Sequence, residues 1–190
     1  MKGFALIISG PSGSGKDTLI DELIKRDSDI ITSTSFTTRK PRENEEYGKD
    51  YYFVSDQEFR EAIENNQMLE YVKYHSYYYG TPKFFIDEKI SQGKIVILKI
   101  DVIGAERVRK LYENSVSIFI MPPSLETLRE RLVNRNTEKK DEIIKRLEIA
   151  KKEILKSDDF DYIIVNNKLD EAVESAIKII NIHKKINEEK

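Results

Sequence analysis

The run Gly10-Pro11-Ser12-Gly13-Ser14-Gly15-Lys16 has the spacing G-x-x-x-x-G-K, and that spacing suits the binding of a polyphosphate. The glycines let successive backbone N–H groups curl around phosphate oxygens. A following helix adds the positive end of its dipole, and Lys16 supplies a point charge to the β- and γ-phosphates. The motif carries weight only when a strand precedes it and a helix follows it. Phe4–Ser9 is a continuous apolar run, and a helix is expected from about Asp17 to Lys25, so that context is met. An ordinary glycine-rich turn with a surface lysine is the blander alternative. Where the motif usually carries a Ser or Thr hydroxyl for magnesium, this chain has Asp17, followed by Thr18. A carboxylate near a triphosphate is repelled unless a cation lies between them. Two roles for Asp17 stay open. It binds magnesium, directly or through water, with Thr18 on the α-phosphate, or it only caps the helix start, which favours acids.

The elements that must position this loop follow from the pattern of the rest of the chain. At 190 residues the protein suits one α/β domain with small inserted lobes, long enough to bury a real core. Phe4–Ser9, Lys94–Ile100, Val116–Met121 and Asp161–Asn166 read as buried strands, with helices between them. The alternation predicts a parallel sheet wrapped by helices. Two stretches interrupt it. Residues 34–85 contain several short strands and a helix opened by the capping box Ser55-Asp56-Gln57-Glu58. Residues 125–152 contain two charged helices. Both are expected to be lobes inserted into a core made of 1–33, 86–124 and 153–190.

Composition narrows the function. Lys and Arg number 32 against 34 Asp and Glu, a net charge of −2, so no global basic field points to nucleic acid or an anionic membrane. There is no cysteine, which excludes thiolate chemistry and disulfides. The two histidines, His75 and His183, lie far apart in sequence, and a His-rich metal site is not expected. The opening MKGFALIISG has an apolar run too short to span a membrane and no small-residue cleavage site. A cytoplasmic protein is expected.

Further segments carry a resemblance. Ser35-Phe36-Thr37-Thr38-Arg39-Lys40-Pro41-Arg42 is similar to the acceptor-phosphate motif of guanylate kinases, and so is Gly48-Lys49-Asp50-Tyr51-Tyr52-Phe53-Val54. Leu69-Glu70-Tyr71, Tyr78-Tyr79-Gly80-Thr81-Pro82, Ile100-Asp101-Val102-Ile103-Gly104-Ala105 and Pro122-Pro123-Ser124-Leu125 follow in that family's order. The resemblance runs from Leu6 to about Ala172. It implies an α/β P-loop NTPase fold, a parallel sheet flanked by helices, with an acceptor-binding lobe at 34–85 and a helical lid at 125–152. It implies ATP-dependent phosphorylation of GMP, and of dGMP, with Mg2+ accompanying ATP.

The residues fit that expectation. Arg39 and Arg42 flank Pro41, and two guanidinium forks can clamp one phosphate bidentately; a solvated basic loop is the alternative. The resemblance adds the Tyr51 and Tyr79 hydroxyls to the same phosphate, although any tyrosine among Tyr71, Tyr74, Tyr77, Tyr78 and Tyr79 can equally be strand packing. Glu70 is the expected base reader. A carboxylate offers two acceptors and no donor, guanine offers N1–H and a 2-amino group side by side, and adenine has neither. Ser35 and Thr81 match the positions whose hydroxyls contact the purine. Asp101 ends a buried strand, and by resemblance lies near the nucleotides and magnesium. Lys99 is a departure, because an acid is usual there. A lysine makes the acceptor wall more cationic or snorkels out of the sheet end. Tyr74-His75-Ser76-Tyr77 departs from the usual V-H-G-N.

Arg131, Arg135 and Arg146 match lid arginines. Such groups neutralise charge on the transferring phosphoryl while closure excludes water; pairing along solvated helices is the alternative for Arg131. Asn136 stands where a glycine is usual. No general base is needed, since a monophosphate is already an anionic nucleophile near neutral pH, and positioning plus electrostatics suffices. His75 and His183 are therefore read as structural or surface residues. Two rival functions fit part of the pattern: a ribose-1,5-bisphosphate-type kinase, and a non-catalytic guanylate-kinase-like binding module.

Overall fold

The apolar run Phe4–Ser9 forms strand β1, buried at every position, because it lies at the centre of a sheet covered on both faces. The computed structural model describes residues 3–74, 76–134 and 140–189. Helix α1 (Lys16–Arg26) follows the glycine loop and leads to β2 (Ile30–Thr32). Then come β3 (Ser35–Thr37), β4 (Tyr51–Phe53), α2 (Asp56–Glu64), β5 (Met68–Tyr74) and β6 (Tyr77–Pro82). Next are α3 (Lys83–Ser91), β7 (Ile95–Lys99), α4 (Val102–Leu111) and β8 (Val116–Met121). Helices α5 (Leu125–Asn134) and α6 (Lys140–Ile154) precede β9 (Tyr162–Val165) and the terminal α7 (Leu169–Glu188).

The central sheet has the order β2-β7-β1-β8-β9, with every neighbouring pair parallel. The connection from β1 leads towards β2 on one side and the connection from β7 crosses to β8 on the other, so the carboxyl end of β1 is the point where an open α/β sheet leaves a crevice for a ligand. Gly10 starts there, and β7 ends beside it at Lys99. Two apolar clusters sandwich the sheet. One joins Leu6, Ile8, Ile97 and Ile118 to Leu19, Leu23, Val173 and Ile180. The other joins Ile7, Val96, Leu98 and Phe119 to Ile86, Ala105 and Val108.

A second, four-stranded sheet has the order β4-β3-β6-β5 and its own small cluster of Phe59, Ala62 and Met68. The expected capping box is present, since the Ser55 side chain accepts from the Glu58 N–H and the Glu58 carboxylate accepts from the Ser55 N–H. Register in this sheet sets residues opposite one another: Ser35 with Tyr51, Thr37 with Tyr79, and Glu70 with Thr81. Helices α5 and α6 share a third cluster of Leu128, Leu132, Ile143 and Ala150. Among the described residues no helix is long and apolar enough to cross a membrane.

Candidate active site

Gly10, Gly13 and Gly15 all have positive φ, at 135°, 90° and 90°. Two of these positions are also closed to a side chain. A Cβ on Gly10 would lie 2.4 Å from the Ile120 carbonyl, and one on Gly15 would lie 2.3 Å from Nδ2 of Asn166. The loop is therefore pressed against the ends of β8 and β9 and can hold its turn only with glycine. Lys16 Nζ donates to the carbonyls of Gly10 and of Pro11, the latter at 2.9 Å, so its ammonium lies folded over the loop. Among the described residues the buried Ser14 hydroxyl has no hydrogen-bond partner.

Asn166 was not foreseen from the sequence. It is buried at the end of β9, and its Nδ2 donates to the Ser14 carbonyl at 2.8 Å. Arg131, on α5, donates to the Asn166 carbonyl at 3.0 Å and to the Ser14 carbonyl at 3.4 Å. The two side chains brace the loop from its outer side. Thr18, Arg131, Asn166, Asn167 and Leu169 line a cavity there. Arg146, on α6, donates to the Ser12 hydroxyl at 3.2 Å. Two of the three expected lid arginines thus reach the loop, while Arg135 and Asn136 lie outside the described residues, as does His75. His183 meets the Tyr162 hydroxyl at 3.0 Å, away from the loop.

Asp17 is not the helix cap. Gly15 occupies the N-cap of α1 without a side-chain bond. The Asp17 carboxylate, in the first turn, instead accepts from Lys99 Nζ at 2.7 Å. Two of the residues that depart from the expected pattern are thus paired with each other, and Lys99 does not simply extend into solvent. Asp101 caps α4, its Oδ1 accepting from the Gly104 N–H at 2.7 Å. Gly10, Ser12, Gly13, Gly15, Lys16, Asp17, Lys99, Asp101 and Glu153 surround a cavity of about 310 Å³. Glu153 is a second residue the sequence did not single out. Burial raises its carboxyl above the ordinary value, the Lys16 charge opposes this, and the Asp101 charge adds to it.

A neighbouring cavity of about 340 Å³ is lined by Asp17, Thr32, Ser35, Lys49, Asp50, Tyr51 and Lys99. Behind it, Arg39 is held by Glu45 through two parallel bonds of 2.8 Å. Its guanidinium lies 5.4 Å from the centre of the Tyr51 ring, and Tyr51 meets Tyr79 edge to face at 6.0 Å. Arg39, Tyr51 and Tyr79 are therefore brought together. Arg42 is exposed, and its backbone N–H donates to Glu45 at 2.8 Å. Glu45, the third residue missed in the sequence, holds the Arg39 guanidinium and the Arg42 backbone, and the Arg39 bond foremost holds its carboxyl down at about 2. Tyr78 is a packing residue, stacked on Phe59 at 5.3 Å. Glu70 accepts from the Thr81 hydroxyl at 2.7 Å. Burial raises its carboxyl above the ordinary range, the Thr81 bond works against that, and Asp101 adds to it.

The arrangement offers a cationic loop for one polyphosphate and, across the wall of Asp17 and Lys99, a second cavity that Ser35 and Tyr51 line, with Arg39 and Tyr79 packed around the Tyr51 ring. Among the described residues no group of three or more metal-ligating side chains gathers. The oxygen donors at the first cavity, Asp17 and Asp101, suit a hard cation that takes one or two carboxylates and completes its shell with water and phosphate.

The family model described as guanylate kinase matches residues 2–182. The chain is 46% identical to the guanylate kinase of Thermotoga maritima, covering 95% of this chain and 87% of the relative. It is 44% identical to that of the Wolbachia of Brugia malayi, covering 95% and 93%. Among solved structures it is similar to the guanylate kinase of Anaplasma phagocytophilum, with a TM-score of 0.75 and 32% identity over 96% of this chain and 86% of that one.

Proposed function

The chain belongs to the guanylate kinase family, and from that premise we propose how its own residues move the γ-phosphoryl group of ATP onto GMP. An oxygen of the GMP phosphate attacks the γ-phosphorus, the bond from that phosphorus to the β-bridging oxygen breaks, and ADP and GDP leave. The nucleophile is already an anion, so no side chain need remove a proton. The work of the protein is to hold two polyanions in line and to cancel their charge.

Gly10–Gly15 and Lys16 hold the β- and γ-phosphates, with Thr18 at the α-phosphate. Lys16 leaves the Gly10 and Pro11 carbonyls, which are replaceable neutral acceptors, for the phosphate oxygens. Arg39 and Arg42, with the Tyr51 and Tyr79 hydroxyls, hold the acceptor phosphate. Glu70 reads guanine N1–H and the 2-amino group, with Ser35 and Thr81 beside it. Asp101 lies between the two nucleotides. Arg131, Arg135 and Arg146 bring positive charge over the transferring group as 125–152 closes on the core formed by 1–33, 86–124 and 153–190, and 34–85 carries the acceptor. Asp17 or Asp101 would hold the Mg2+ that accompanies ATP, and the ion would supply charge neutralisation of the triphosphate.

The observation that supports this reading is the common wall: Asp17 and Lys99 line both the cavity of the glycine loop and the cavity of Ser35 and Tyr51, so a ligand in one cavity would adjoin a ligand in the other. Neither rival is favoured. The curated relatives are guanylate kinases, and Glu70 has no task in a sugar-phosphate kinase. The test is ADP formation from ATP and Mg2+ with GMP, dGMP, AMP, UMP, CMP and ribose 1,5-bisphosphate. GMP and dGMP are expected to turn over well above the others. No ADP above background with any acceptor would overturn the enzyme reading, and equal rates with AMP would overturn the role of Glu70.

A further inference from the structure

Asp17 and Lys99 lie 82 positions apart in sequence and meet at 2.7 Å, joining the first turn of α1 to the carboxyl end of β7. Both side chains are more than half exposed, at 63% for Asp17 and 56% for Lys99. A solvated pair of this kind shifts a population by only about five-fold or less, so a competing charge can part it. Such charges arrive on both sides, because the two residues line the donor cavity and the acceptor cavity alike. Alone, Asp17 repels phosphate on either side and Lys99 attracts it. Together they present no net charge.

We propose that this ion pair is an exchangeable switch through which the donor site sets the affinity of the acceptor site. With the donor cavity empty, Asp17 holds the Lys99 ammonium at the wall. When ATP and its divalent cation enter, the Asp17 carboxylate turns to the cation. Lys99 is then free to face the acceptor phosphate across the cavity it shares with Ser35 and Tyr51. Lys99 is thus an affinity residue for the acceptor, and Asp17 positions it. The proposal rests on reading these cavities as the donor and acceptor sites. Because binding free energies are linked, GMP must tighten the donor by the same factor as the donor tightens GMP.

Calorimetric titration of the full chain with GMP tests this without turnover. The wild type, D17N, K99M and D17N/K99M are each titrated with GMP alone, and again with Mg2+ and a non-hydrolysable ATP analogue present. For the wild type, the analogue is expected to tighten GMP by more than two-fold and up to about five-fold, the limit set by the strength of a solvated pair. D17N is expected to bind GMP alone with a comparable gain over the wild type. That gain should vanish in D17N/K99M, and K99M should lose the coupling. D17N binding within two-fold of the wild type overturns the switch. So does a D17N gain that survives in D17N/K99M, since the loss of a negative charge alone would then explain it. A wild type that does not take up GMP at all overturns the functional reading, and the switch with it.

Discussion

Glu70 and Thr81 face each other across β5 and β6, and the Thr81 hydroxyl donates to the Glu70 carboxylate at 2.7 Å. The bond fixes one carboxylate oxygen on a strand whose rigidity comes from pairing rather than from packing of the side chain itself. It also leaves acceptor capacity, since an ionised carboxylate has about four lone-pair sites. A base that brings two adjacent donors satisfies the remaining acceptor sites, and one that brings none leaves the carboxylate covered with Thr81 as its donor.

Glu70→Gln follows directly. Glutamine keeps the shape and the bond from Thr81 but turns one acceptor into a donor aimed at guanine. Each mismatched buried group costs about 1–3 kcal/mol, so kcat/KM for GMP is expected to fall by about 10–100-fold while that for AMP stays level or rises. The ratio of the two, measured under the same conditions, is the readout. An unchanged ratio sinks the assignment.

The same variant has a consequence for stability. The Glu70 carboxyl is raised above its ordinary value of 4.5, chiefly by burial. A raised acid is disfavoured as an anion in the fold, so it lowers stability above its folded value and has no effect well below 4.5. Glu70→Gln is therefore expected to melt a few degrees higher than the wild type at pH 7, with the difference closing as the pH falls towards 4. Melting curves across that range check it. A lower melting temperature at pH 7 contradicts the burial argument.

Glu45 works with the opposite sign. Its carboxyl is depressed to about 2 by Arg39 and the Arg42 N–H, so its contribution to stability is full above the ordinary value of 4.5 and is lost as pH falls towards 2. Glu45→Gln should be less stable than the wild type at pH 7 and should converge with it in acid. Because the doubly bonded carboxylate sets the Arg39 fork, the KM for GMP should also rise, by about ten-fold for a lost charge-assisted bond, with KM for ATP nearly constant.

Arg146 spans from α6 to the Ser12 hydroxyl. An arginine that meets charge developing in transfer is worth about 10³–10⁵ in rate. Arg146→Ala is expected to lower kcat by at least about 10³-fold with GMP affinity, measured by calorimetry, left within a factor of two. A loss confined to KM would make Arg146 a ground-state ligand instead.

Much of this was legible in the residues. β1, β7 and β8 are mostly apolar runs, interrupted by Ser117 and closed by Ser9 and Lys99, and the Ser55 capping box announced α2 with its own chemistry. β3 was hidden, because Ser35–Thr37 is three residues long and exists by pairing with β4 and β6, partners that no local pattern reveals. The same limit applied to the site. Lys16, Arg39 and Glu70 carry motif spacing. Glu45 sat inside an acidic, loop-like stretch, and Glu153 on a helix rich in charge. Asp17 and Lys99 were each visible as an irregular residue, but their 2.7 Å contact belongs to the meeting of α1 with β7, and only the folded sheet brings those ends together.

Asn166 gives the last prediction. Its side chain donates to the Ser14 carbonyl at 2.8 Å, and its amide nitrogen occupies the space a Gly15 side chain would need. Asn166→Ala removes that donor and leaves the buried Ser14 carbonyl with Arg131 at 3.4 Å, a weak contact. An unsatisfied buried acceptor costs about 1–3 kcal/mol, and here the cost falls on the loop that must keep its N–H groups turned to phosphate. KM for ATP is expected to rise by about 10-fold or more, while KM for GMP stays within two-fold, since the acceptor lobe is a separate sheet. Gly15→Ala forces the same two groups apart from the other side, against a positive φ as well, and should be the more damaging for ATP. Equal losses for both substrates in Asn166→Ala would mean that the brace holds the whole core and not the loop.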